Sequence, residues 1–139
     1  MKFKVYLYTA IRGLLGVFLT LHAIYNVLIY TDFLVEIEMY FKTSELFNYD
    51  FIEALAPLVP FEEFILGMFL ILGVFTKEVL ICSLFLFAFI SIFLLDANFP
   101  VLSALHMFFF MVTLLLLKKH NYNLKSMDYS RDLYKTILF

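Results

Sequence analysis

The chain has one cysteine, four glycines and three prolines in 139 residues, and each scarcity closes off a class of explanation. A lone thiol, Cys82, forms no intrachain disulfide, so dithiol chemistry within the chain and a disulfide framework are both excluded. Cys82 reads instead as a small apolar packing residue near a helix end. With so few turn-forming residues, the apolar mass lies in long unbroken stretches, not in short strands between turns. There is no glycine-rich phosphate loop, no nucleophile elbow and no Cys/His metal signature, which leaves soluble-type hydrolysis and nucleotide chemistry without support. No internal repeat or low-complexity tract is present, and no nucleic-acid partner is expected.

Charge is scarce as well. Only 16 % of residues are charged while 64 % are hydrophobic, and the mean hydropathy is +0.95. That balance lies outside the range of a soluble domain and identifies the bilayer as the main solvent and first partner. A membrane-crossing helix needs about 20 apolar residues, because the hydrocarbon slab is roughly 30 Å thick and a helix rises about 1.5 Å per residue. Residues 5–30, 79–95 and 99–117 qualify directly. The fourth candidate, 60–76, has a clean apolar run only from Phe64 to Thr76, bounded by Glu62 and Glu63 and by Lys77, and it spans only if the glutamates are drawn inward. Lys2 and Lys4 before the first run resemble a signal-peptide start, but the run is too long and lacks a small-residue cleavage site, so it reads as a retained helix. The expected fold is all-α: a single membrane domain over 1–139, built as an up-and-down four-helix bundle.

In a four-span arrangement Lys2, Lys4, Arg12, Lys77, Lys118, Lys119, Lys125, Arg131 and Lys135 fall on one side and Lys42 alone on the other. The positive-inside rule then places both termini, and the tail 118–139, in the cytoplasm of a bacterial inner-membrane, multi-pass protein. The loop 31–59 carries Asp32, Glu36, Glu38, Glu45, Asp50 and Glu53, which makes it an acidic extracytoplasmic face. Apolar residues from Phe33 to Phe41 interleave with those acids, and Ser44 is suited to cap a further segment running to Ala56, so short interfacial helices are expected there. Pro57 and Pro60 bracket the entry to the second span, while Thr76-Lys77-Glu78 and Asp96-Ala97-Asn98 read as short turns that bring spans two, three and four into antiparallel contact. In the tail, Leu133, Ile137 and Leu138 lie on one side of a short surface helix.

Ionisable groups in hydrocarbon are costly, so each one needs a partner or a cavity. Counting the helical rise from Val5 puts Arg12 about 10 Å and His22 about 25 Å into the slab, with Glu63 about 21 Å outward from Lys77 and His106 about 9 Å inward from Pro100. His22, Glu63 and His106 therefore converge on one outer-leaflet level, with Tyr25 and Asn26 within a turn and Ser91 below. Such a pocket suits a quinone head group or a proton relay; haem and metal are disfavoured because no recognised ligand spacing is present. The alternative is structural, a His22–Glu63 bond that merely fixes the bundle. Arg12 is a further charge partner, or it snorkels, or it pairs with a helix carbonyl or a lipid phosphate. Gly13, Gly16, Gly67 and Gly73 all fall in the first two spans and point to close packing between them. The phenylalanines of spans three and four, among them Phe85, Phe87, Phe89, Phe93, Phe108, Phe109 and Phe110, read as lipid-facing or core residues.

The stretch Ile11-Arg12-Gly13-Leu14-Leu15-Gly16 with His22 ten residues after the arginine, then Glu63-Phe64-Ile65-Leu66-Gly67 and Leu72-Gly73-Val74-Phe75-Thr76-Lys77, resembles the DoxX-like family of small four-helix membrane proteins, DoxX/MauE-type. The likeness covers nearly the whole chain in span order, and the tail Asn123-Leu124-Lys125-Ser126-Met127-Asp128 loosely matches the family's ending. It implies a redox-associated membrane partner, since relatives include subunits linked to thiosulfate:quinone oxidoreduction and MauE-type proteins of redox maturation. Arg12, His22 and Glu63 stand at the family's arginine, histidine and glutamate positions. Ala23 and Asn26 replace the glycine and lysine that many relatives carry after the histidine, which removes a basic group suited to an anionic substrate.

Small size with no encoded redox group points to an accessory subunit, not catalytic alone, that docks to a larger protein or to further copies of itself. The alternatives are a quinone-reactive oxidoreductase subunit and a small-solute carrier or assembly helper. Topology reporters fused at residue 45 and at the C-terminus are expected to signal from opposite sides of the membrane; same-side signals would remove one span from the count.

Overall fold

In lipid a segment must satisfy its backbone hydrogen bonds internally, and four stretches of this chain do so as helices long and apolar enough to cross a bilayer. The computed structural model describes residues 2–47 and 49–138, without the side chains of Lys135, Ile137 and Leu138. Helix α1 covers Lys2–Leu28, α2 Tyr30–Thr43, α3 Asp50–Leu55, α4 Val59–Leu72, α5 Thr76–Asp96, α6 Pro100–Lys118 and α7 Met127–Leu138. Helix α3, a 3-10 turn at Ala56–Leu58 and α4 continue into one another over Asp50–Leu72, and this stretch joins α1, α5 and α6 as a crossing segment. No strand occurs among the described residues.

Apolar surfaces gain nothing by leaving lipid for one another, so helix contacts in a membrane depend on close backbone approach and interhelical hydrogen bonds. Both are present. Helices α1 and α4 meet where Gly16 faces Gly67: a Cβ on Gly16 would lie 2.7 Å from the Gly67 carbonyl oxygen, and one on Gly67 would lie 2.7 Å from the Gly16 carbonyl oxygen. Helices α5 and α6 are tied by two serines, the Ser91 hydroxyl donating to the Ser103 carbonyl at 3.0 Å and the Ser103 hydroxyl to the Ser91 carbonyl at 2.6 Å. The two pairs close on a core that includes Tyr8, Leu15 and Leu19 of α1, Leu70 of α4, Leu80 and Phe87 of α5 and Leu116 of α6. The other two glycines stand apart from the α1–α4 contact. Gly13 has open space around it, and Gly73 lies beyond α4, where its φ of +69° supplies the left-handed residue that ends the helix.

Several boundaries differ from expectation. The second crossing helix stops at Leu72, and Thr76, Lys77 and Glu78 form the first turn of α5 instead of a loop. Gly73 causes the early stop, since the N–H groups of Gly73 and Val74 both fold back onto the Phe69 carbonyl. Asp128 permits the early start, because its carboxylate accepts the otherwise orphaned N–H groups of Phe75 at 2.8 Å and Thr76 at 2.7 Å. Burial alone would raise the Asp128 carboxyl, but these backbone donors and the nearby Arg131 reverse the sign and hold it below the usual aspartate range. It is therefore an ionised cap at neutral pH.

At the opposite end Ser44 does not begin a helix. It ends α2, donates its hydroxyl to Asp96 and accepts the Phe47 N–H, while the next helix begins at Asp50. Asp96 also accepts the N–H groups of Glu45 and Leu46, so one carboxylate organises the whole bend. Cys82 is exposed and faces outward, not between helices. Phe87 and Phe93 are buried whereas Phe85 and Phe108 face outward, a division that follows helical phase. Helix α7 forms as expected and Leu133 on it is exposed, whereas the side chains of Ile137 and Leu138 lie outside the described residues.

The glycine geometry separates two otherwise similar substitutions. Gly16→Ala forces a methyl against backbone and is expected to cost about 1–3 kcal/mol. Gly13→Ala meets open space and is expected to be neutral or to stabilise by up to about 1 kcal/mol. Thermal unfolding in detergent would read both, and equal midpoints would show that the Gly16–Gly67 approach does not hold the bundle.

Candidate functional site

The α1–α4 contact carries a polar pair above it. Glu63 lies one turn beyond Gly67, and His22 lies a little under two turns beyond Gly16 in the opposite chain direction, so both rise toward the α2 end of the bundle. His22 Nδ1 and Glu63 Oε2 are 2.8 Å apart. The Glu63 side chain is 2 % exposed, which makes the imidazole its main compensation for leaving water. Asn26, one turn above His22, brings its amide within 3.4 Å of His22 Nε2. With Nδ1–H donated to the carboxylate, Nε2 is left as the acceptor for that amide. The imidazole also stacks on Phe18, with ring centroids 5.8 Å apart, and Phe18 stacks on Phe109 of α6.

This pair forms part of the wall of a cavity of about 450 Å³ between the α1–α4 and α5–α6 pairs. His106 of α6 lines the same cavity but bonds elsewhere, donating Nδ1–H to the Leu102 carbonyl at 2.9 Å, which leaves Nε2 with a free lone pair. The remaining wall is largely apolar, with Phe89, Ile90, Phe93 and Leu102 among its members. Large apolar walls with a few placed polar groups are the usual make-up of a small-molecule site.

Helix α2 roofs the cavity. Its 14 residues reach about 20 Å, from the top of α1 to the α5–α6 turn, where Phe41 packs on Phe93, Tyr40 meets the Phe99 ring edge-on and the Thr43 hydroxyl donates to the Ala97 carbonyl. The Tyr30 hydroxyl donates to the Pro57 carbonyl and ties the near end down to the second crossing segment. Glu36 and Tyr40 from this roof line the cavity and are hydrogen-bonded to each other. Burial, reinforced by Glu36, pushes the Tyr40 hydroxyl up, so it stays a neutral donor.

Of the expected pocket residues, His22, Asn26, Glu63 and His106 all line this one cavity. Tyr25 does not, being exposed, and Ser91 is engaged with Ser103. Arg12 is at the other end of the bundle and pairs with neither His22 nor Glu63. It is 3 % exposed and donates Nη2–H to the carbonyl of Lys125, which lies in the non-helical segment before α7 and not in a helix. Its guanidinium lies under Gly73, where a Cβ would fall 2.0 Å from Nη1. Glu36, Tyr40 and Phe93 also line the cavity, unanticipated from the sequence. The run Phe33, Ile37, Tyr40, Phe41 gives α2 one apolar face, but that spacing suits a helix on the membrane surface as well as a roof over a cavity. No group of three or more His, Cys, Asp or Glu that could hold a metal ion occurs among the described residues.

A family model described as methylamine utilisation protein MauE matches residues 4–99. The chain belongs to the MauE family. No curated protein and no solved structure is matched. Of the expected DoxX/MauE-type kinship, MauE is the part that the match names. The MauE match contains Arg12, His22, Asn26, Glu63 and the roof helix α2, while His106 and the tail carrying Asp128 lie beyond it.

Within this MauE-family site the two halves of the hydrogen-bonded pair differ in what their removal leaves behind. His22→Ala strands a buried carboxyl and is expected to cost on the order of 3 kcal/mol, whereas Glu63→Gln keeps a hydrogen-bonding group against the ring and is expected to cost about 1 kcal/mol. Unfolding midpoints in detergent would rank them, and a reversed order would mean that Glu63 has other compensation.

Proposed function

We propose that this MauE-family membrane protein is an accessory subunit of a redox-associated membrane assembly, and that it holds the head group of a quinone-type ligand against His22 and Glu63. One observation carries the reading: a buried carboxylate–imidazole pair on the wall of a largely apolar cavity of about 450 Å³. A planar ring fits between the phenylalanine walls, a carbonyl oxygen accepts from the Asn26 amide, a quinol hydroxyl donates to the His106 Nε2 lone pair, and an isoprenoid tail continues into lipid. The chain encodes no redox group, so electrons come from a partner protein. The family description, methylamine utilisation, agrees with a supporting part in an oxidative process. We further place the protein in a bacterial inner membrane with both termini cytoplasmic, on the distribution of its lysines and arginines.

A second reading gives the pair a chemical part. The direct His22–Glu63 hydrogen bond favours it, because a carboxylate and an imidazole sharing one proton can pass it to a reduced quinone oxygen.

Affinity isolation in mild detergent, followed by mass spectrometry and solvent extraction, tests both. The expected result is a stoichiometric partner protein and an extractable quinone, with Glu63→Gln retaining the partner and losing most of the quinone. Isolation of the chain by itself, with nothing extractable, would overturn the proposal. Quinone retained by Glu63→Gln with turnover unchanged would remove the pair from the mechanism.

A further inference from the structure

The tail end of the bundle holds a second cavity, separate from the roofed one. It is a groove of about 280 Å³ between α1 and α6, and its composition changes along its length. Lys4 and Lys119 stand at its outer end, on the first turn of α1 and just past the end of α6. Ile11 and Val112 lie about 10 Å deeper, each seven residues along its helix from the lysine. Leu7 and Leu115 on the rim are exposed, so the groove opens sideways toward hydrocarbon.

The cations at its mouth are uncompensated. Neither Lys4 nor Lys119 is paired with a carboxylate among the described residues, and Lys4 rests only over the Tyr122 ring at 5.9 Å from its centroid. Two ammonium groups at the surface call for an anionic, oxygen-rich group; the deeper aliphatic walls call for a hydrocarbon chain. One class of molecule presents both in this order and reaches the groove from the side on which it opens.

We propose that the α1–α6 groove binds an anionic phospholipid, with the phosphate between Lys4 and Lys119 and one acyl chain along Ile11 and Val112. A free phosphate ion would leave the apolar length unused, and a soluble peptide would have to approach through lipid. The site is independent of the His22–Glu63 cavity and of what that cavity binds.

Native mass spectrometry of the full chain in detergent, with phosphatidylglycerol and phosphatidylcholine added in equal amounts, tests this. The wild type is expected to retain phosphatidylglycerol in preference, and Lys4→Gln with Lys119→Gln to reduce that retention by about fivefold for each lysine removed. Lys77→Gln, at the same end but outside the groove, is expected to leave it unchanged. Val112→Trp, which fills the apolar length and keeps both charges, is expected to displace the lipid with helicity intact by circular dichroism. Equal retention of the two lipids, or equal loss from Lys77→Gln and the groove variants, would overturn the proposal. Competition by millimolar inorganic phosphate would overturn the lipid assignment in favour of a free anion.

Discussion

Between Gly16 and Gly67 the backbones of two helices approach until neither tolerates a side chain, and the polar site above depends on that approach. Lipid supplies no hydrophobic drive to hold α1 against α4, so the attraction comes from the dispersion and dipolar contacts that short separation permits. Once the helices are that close, the residues one to two turns farther along are brought within hydrogen-bonding reach. Glu63 can then enter the hydrocarbon level at all, because His22 is 2.8 Å away. A wider separation at the glycines would leave a buried carboxyl without its partner and push the helix outward until Glu63 reached the headgroups.

The third crossing helix shows a related economy. Helix α5 has no side-chain cap of its own at its N-terminus, and acids at its two ends link it to distant segments. Asp128 reaches back from the tail to satisfy the N–H groups of Phe75 and Thr76, and Asp96, the last residue of α5, gathers the N–H groups of Glu45 and Leu46 with the Ser44 hydroxyl. The same bonds that complete the helix start and the bend after α2 therefore dock the tail at one end and the roof at the other. Arg12 adds to the first docking through the Lys125 carbonyl. The roof in turn closes the cavity, since Phe41 and Tyr40 are held against Phe93 and Phe99 by this anchoring.

Two tightly joined helix pairs with thinner packing between them leave room for cavities at the seam, and this chain has one near each end. The two differ in chemistry. The roofed cavity is enclosed above and carries three carboxylates, two imidazoles, an amide and a phenol, a set suited to hydrogen-bonding a polar ring. The tail-end groove is open to the side and carries lysines, a set suited to a headgroup. The MauE match spans the α1–α4 pair and the roof helix, so the carboxylate–imidazole pair falls inside it.

Composition and run length determined the solvent, the four crossings and the all-helical class, because twenty apolar residues in lipid have no stable alternative to a helix. Helical rise was also enough to bring His22, Glu63 and His106 to one depth, since depth depends only on counting along straight helices. Which side of each helix faces its neighbour depends on packing, and that was not legible. Hence Gly13 and Gly73 looked equivalent to Gly16 and Gly67, Cys82 looked like packing, and nothing pointed Arg12 to a carbonyl more than a hundred residues away. The early start of α5 and the role of Ser44 were missed for the same reason. Each is decided by a carboxylate, Asp128 or Asp96, that arrives from a remote part of the chain, and only the tertiary structure brings those charges to the backbone groups they satisfy.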